Sequence, residues 1–154
     1  MVEPIHVEAI GLANVRFFRS PLDGPRQPWH AIDDIYAAMA LPRELRRALK
    51  SKLLKHRKWK RSIITVRTKG GELMIAPHWM AQGIIGSAVD YGGLSPEFEH
   101  FYVNGMMKAM EVITEGMSPI DSVNYGLAAF RNENGLPPMP PLEEKSVIFT
   151  SKGS

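Results

Sequence analysis

Hydrophobic and polar positions change period several times along this chain, and each change marks an element. Residues 2–10 are mildly apolar and predict a lead-in strand. Residues 14–19, Asn-Val-Arg-Phe-Phe-Arg, crowd aromatic and β-branched side chains into a short run and predict a second strand. Residues 20–28 hold three prolines and a glycine, which no regular element accommodates, so they form a turn. Trp29 and His30 resume an extended segment. Ile32, Ile35, Tyr36 and Met39 then recur at helical spacing, with Asp33 and Asp34 in a first turn where the helix dipole favours acids. Pro42 closes that helix and opens another over residues 43–56. There Leu45, Leu49 and Leu53 form a stripe to bury, while Arg46, Arg47, Lys50 and Lys58 fall largely off it.

From Trp59 the pattern turns to strand. Ile63, Ile64, Thr65 and Val66 are a β-branched run. Lys69-Gly70-Gly71 is a hairpin turn, and residues 72–76 form the return strand, stopped by Pro77. Residues 78–90 predict an apolar helix, broken by Tyr91-Gly92-Gly93. Ser95-Pro96 and Ser118-Pro119 are two helix starts of the same kind, serine as cap and proline in the first turn. The first helix runs to about residue 115, with Phe98, Tyr102, Met106, Met110 and Ile113 on one side; the second covers residues 118–131. Residues 132–154 form a Pro-rich flexible or polyproline-II tail. Strands and helices do not alternate as β-α-β. The expected fold is therefore α+β: one domain over residues 1–131, with a small antiparallel sheet and hairpin packed by about five helices.

Composition narrows the class. The chain has 154 residues, 44% hydrophobic and 23% charged, which suits one globular domain. With no cysteine there is no disulfide, thiolate nucleophile or Cys-ligated zinc. No apolar run approaches the roughly 20 residues that cross a bilayer, and the acidic start Met1-Val2-Glu3-Pro4 is unlike a secretion signal. These features predict a cytoplasmic protein with no membrane partner.

Charge changes the picture most. Residues 43–69 hold twelve basic residues and one acid, Glu44, a net +11, while the rest of the chain holds 7 basic and 15 acidic residues, a net −8. A block so dense attracts polyanions and speeds their arrival. Two readings stand: a nucleic-acid surface, or a solvated helix face beside a Lys-guarded edge strand. The first takes Arg46, Arg47, Lys50, Lys55, Arg57, Lys58, Lys60, Arg61, Arg67 and Lys69 as phosphate contacts. Trp59, flanked by Lys58, Lys60 and Arg61, suits either core packing or base stacking.

Other constellations carry less. His6, His30, His56, His78 and His100 lack metal-ligand spacing, and His78 suits capping or packing. Asp33 and Asp34 point about 100° apart on a helix and make no catalytic dyad. The glycines match neither phosphate-binding fingerprint, and no nucleophile motif is present. The expectation is no enzyme, cofactor or metal. Met80, Met106, Met107, Met110 and Met117 suit a core, or a homodimer interface on the helix of residues 95–115.

The stretch Val15-Arg16-Phe17-Phe18, followed by Pro28-Trp29-His30-Ala31-Ile32-Asp33-Asp34-Ile35-Tyr36-Ala37-Ala38-Met39-Ala40-Leu41, resembles the opening of the Bro-N domain shared by baculovirus repeated gene products and prophage antirepressors. Thr68-Lys69-Gly70-Gly71-Glu72-Leu73-Met74-Ile75 is similar to that family's Gly-containing hairpin, and the helices from His78 and from Phe98-x-x-Phe101 resemble its closing helices. The resemblance covers residues 14 to 115, roughly. The family's pattern often has Trp where this chain has Phe101. The resemblance implies a non-enzymatic DNA-binding regulator of the phage antirepressor type, with duplex DNA as partner. The alternative is a protein-binding inhibitor that turns the basic block on an acidic partner.

Overall fold

The computed structural model describes residues 1–143. In chain order the elements are β1 (His6–Ile10), β2 (Ala13–Phe18), β3 (Trp29–Ala31), α1 (Ile32–Met39), α2 (Arg43–Lys55), α3 (Arg57–Ser62), β4 (Ile64–Thr68), β5 (Gly71–Ala76), α4 (His78–Gly92), α5 (Glu97–Ile113) and α6 (Pro119–Glu133). The strands form one antiparallel sheet in the order β1-β2-β3-β5-β4. The fold is α+β, as the aperiodic order of strands and helices predicts.

Alternation along the strands divides the core in two. Val15, Phe17, Met74 and Ala76 face α1, α4 and α5, where they pack with Ile32, Ile35, Met80, Ile84, Tyr102 and Met106. Phe18, Leu73 and Ile75 point the other way and join Trp29, Ala31, Ile64 and Val66 in a smaller cluster. The chain start bonds to two strands of the sheet: the Val2 amide donates to Arg67 O of the edge strand β4 at 2.8 Å, and Ile5 N donates to Phe17 O of β2 at 2.8 Å.

Three local outcomes differ from the sequence reading. The described residues form six helices, and the additional one is α3, where a strand was expected to begin at Trp59. His56 starts it, its side chain accepting from the Trp59 amide at 3.4 Å. The helix α1 ends before Pro42: Ala40 takes a left-handed conformation, φ 51°, and its amide bonds to Ala37 O. The leucine stripe of α2 is only partly covered, with Leu53 buried but Leu45 and Leu49 half-buried. The reason is a gap beneath α2, described below.

The methionine helix α5 lies on β1 and β2, and Met106 is spent in the core. Its outer face carries the exposed Phe101 and Met107 among His100, Asn104, Lys108 and Glu111, with Val103 and Met110 half-buried beside them. Ser118 caps α6, its hydroxyl accepting from Asp121 N at 3.2 Å, a cap worth about 1 kcal/mol. The helix docks on the proline-rich turn, where Asn132 Nδ2 donates to Pro25 O at 2.7 Å. The start of the tail folds back on α6: Asn124 Nδ2 donates to Leu142 O at 3.0 Å, and Leu142 N donates to Asn124 Oδ1 at 2.7 Å. The rest of the tail, residues 144–154, lies outside the described residues. Among the described residues no helix is long and apolar enough to cross a membrane.

Candidate nucleic-acid interface

The cations of the block are set by α2 and α3. Good helix formers make up α2, and its leucines fix which side faces inward, so the arginines and lysines between them project to solvent. Arg46, Arg47, Lys55, Arg57, Lys58, Lys60 and Arg61 are exposed, and among the described residues none makes an ion pair within 4.0 Å. Seven exposed positive side chains without an acidic partner thus fall on two consecutive helices.

Three of the ten expected contact residues have acidic company. Lys50 is half-buried and pairs with Asp33 of α1. Lys69, at the hairpin tip, lies 3.7 Å from Glu3. Arg67 stands directly opposite Glu72 in the β4–β5 register, on the same face of the sheet. The strongest field therefore belongs to the helices rather than the hairpin. Asp34, the neighbour of Asp33, is taken by Arg16, so both acids at the start of α1 hold a cation in addition to their place at the helix dipole.

Beside this stretch is a cavity of about 230 Å³ lined by Tyr36, Leu49, Lys52, Leu53, His56, Trp59, Ile84, Ser87 and Tyr91. Two glycines of α4 let its neighbours close in on either side of the cavity. At Gly83 a Cβ would fall 2.4 Å from the Trp59 ring, so the indole lies directly on the helix backbone, edge-on to Trp79 at 5.9 Å. At Gly92 a Cβ would fall 2.8 Å from Leu45 Cδ2. These two contacts are nine residues apart, about 14 Å along α4. Between them α2 and α3 bridge over α4 without filling the space, which leaves Leu49 half-covered.

Trp59 packs against α4 at Gly83 and also lines the cavity. The sequence reading missed Tyr36, Lys52, His56 and Tyr91. Lys52 was legible as a cation three residues from Leu49, on the edge of the leucine stripe. Tyr91 read only as part of a helix break, yet α4 continues through it to Gly92 and holds its ring at the cavity mouth. The Lys52 ammonium sits 5.7 Å from the centre of that ring.

No protein-family model, curated protein or solved structure matches this chain.

The histidines lie elsewhere. His30 is fully buried, and neither ring nitrogen has a hydrogen-bond partner. Its ring meets Tyr102 edge-on at 5.9 Å, while His78 stacks on Tyr102 at 5.5 Å, with Nδ1 3.1 Å from the hydroxyl. Burial pushes the His30 pKa down to about 3, with His78 adding to the effect, and burial pushes His78 down to about 4. Both are neutral packing groups at neutral pH. Among the described residues no three His, Asp or Glu side chains converge as metal ligands.

Proposed function

We propose that this chain is a nucleic-acid-binding regulatory protein of the phage antirepressor type, holding nucleic acid by its phosphates through α2 and α3. The observation that carries the proposal is the run of seven exposed cations, Arg46, Arg47, Lys55, Arg57, Lys58, Lys60 and Arg61, without an acidic partner within 4.0 Å among the described residues. Such groups neutralise phosphates and fix position without reading sequence. The likeness of residues 14–115 to the Bro-N domain supports the regulatory part of the reading.

The test is a titration of labelled duplex DNA at several salt concentrations. With about six phosphate contacts, log K falls with log salt at a slope near −5. Replacing Arg46 and Arg47 with Ala flattens the slope by about two. Lys50→Ala leaves it nearly unaltered, because that ammonium already pairs with Asp33. Absence of binding at low salt, or a double variant with wild-type slope and affinity, sinks the proposal; the first outcome leaves the basic face to an acidic protein.

A further inference from the structure

We infer that the cavity between α2, α3 and α4 receives one unpaired nucleobase, so that the chain prefers single-stranded nucleic acid to intact duplex. The inference rests on the reading of α2 and α3 as a phosphate-binding surface and names the form of strand they hold.

The cavity joins two properties that a base with its phosphates requires. Its walls are flat: Trp59, Tyr36, Tyr91 and His56 present rings, and Leu49, Leu53 and Ile84 close the apolar remainder. One cation, Lys52, is part of its lining, and the exposed Lys55 and Arg57 lie close by in the chain, one helical turn beyond Lys52 and next to His56. An apolar or aromatic peptide side chain would use the rings and leave the cations idle. A nucleotide uses both, stacking its base and setting the adjoining phosphates among lysines and arginines. Ser87 adds a hydroxyl to the lining, a hydrogen-bonding group for a base edge.

Tyr91 is the most telling wall. It is 72% exposed, although it is a large ring on a well-formed helix. Lys52 stands over it, which keeps an aromatic face and a positive charge together at the mouth. In duplex DNA the bases are already stacked and paired, and one reaches such a slot only by being turned out of the helix. A single strand offers its bases without that cost.

The experiment measures the binding of a labelled oligothymidylate, and of the same strand annealed to its complement, at low salt. The wild type, Tyr91→Ala, Tyr91→Phe and the Arg46→Ala/Arg47→Ala double variant are compared. Tyr91 is exposed, so its loss leaves the fold intact, which circular dichroism verifies. The wild type is expected to hold the single strand more tightly than the duplex. Tyr91→Ala weakens the single strand by about tenfold with its salt slope unchanged, Tyr91→Phe restores it, and duplex affinity does not move. If Tyr91→Ala binds the single strand as the wild type does, or the duplex is the tighter ligand, the cavity inference is overturned. The phosphate-binding reading then still stands, provided the Arg46/Arg47 variant weakens both ligands. If neither strand binds at low salt, both fall together.

Discussion

Arg16 holds Asp34 by three hydrogen bonds: its backbone amide donates to Oδ2 at 3.0 Å, Nε donates to Oδ2 at 2.8 Å, and a terminal nitrogen donates to Oδ1 at 3.0 Å. The carboxylate thus joins the backbone of β2 to the first turn of α1 across 18 positions of sequence. The Asp34 side chain is 13% exposed and that of Arg16 34%, so water screens the carboxylate less than the guanidinium. Asp34→Ala should cost about 2–3 kcal/mol, because it leaves the guanidinium and an amide without their acceptor. Asp34→Asn keeps one acceptor oxygen and should cost less. Urea unfolding of both variants checks the order, and an alanine variant as stable as the wild type contradicts it.

Gly83 is where Trp59 meets α4. An added Cβ would sit 2.4 Å and 3.1 Å from two ring atoms, so the indole must move outward. Gly83→Ala should lower stability: crowding of this kind costs about 1–3 kcal/mol, against a helix-propensity gain of about 1 kcal/mol. The displaced ring also reshapes the cavity, so single-strand affinity should fall with stability. A variant more stable than the wild type would mean that Trp59 does not rest on this helix.

Ala40 takes φ 51° at the end of α1, the one non-glycine residue with positive φ among those described. A side chain in this conformation costs about 1–2 kcal/mol, part of which glycine gives back by loosening the unfolded chain. Ala40→Gly should therefore raise stability by up to about 1 kcal/mol, read as a shift of the urea midpoint upward. A fall in the midpoint would show that the methyl packs more favourably than the conformation strains.

His30 and His78 make the fold sensitive to mild acid. Their folded pKa values, about 3 and about 4, lie below the ordinary 6.5. Their contribution is fully present above pH 6.5 and drains as pH falls toward the folded values. Each removes at most about 1.4 kcal/mol per pH unit in that range. Between pH 6.5 and 5, where ordinary carboxylates stay ionised, unfolding free energy should fall steadily, with the unfolded chain binding up to two more protons. A flat profile across that interval would contradict the buried neutral pair.

Much of the architecture is local and was legible from the residues. Ile32, Ile35, Tyr36 and Met39 declare α1 by their spacing, Ile64 to Val66 with Lys69-Gly70-Gly71 declare the hairpin, and Ser118-Pro119 starts α6 where the residues say it does. Periodicity and turn chemistry act over a few positions, so these signals survive in one dimension. The charge of the block is likewise a sum over residues, and composition reveals it. What a cation meets is decided elsewhere: Lys50 is taken by Asp33, 17 positions away, and Lys69 by Glu3 at the chain start, while Arg46 and Arg47 stay unpaired. The six residues of α3 are too few for a helical period to show, and their helix is held by Trp59 lying on Gly83 of α4. The cavity draws on residues from Tyr36 to Tyr91, and two glycines nine positions apart set how closely Trp59 and Leu45 approach α4 beside it. Patterns along the chain determine which elements form. Only the packing of those elements against one another decides which side chains meet, because that depends on shape and distance between parts of the chain that share no local period.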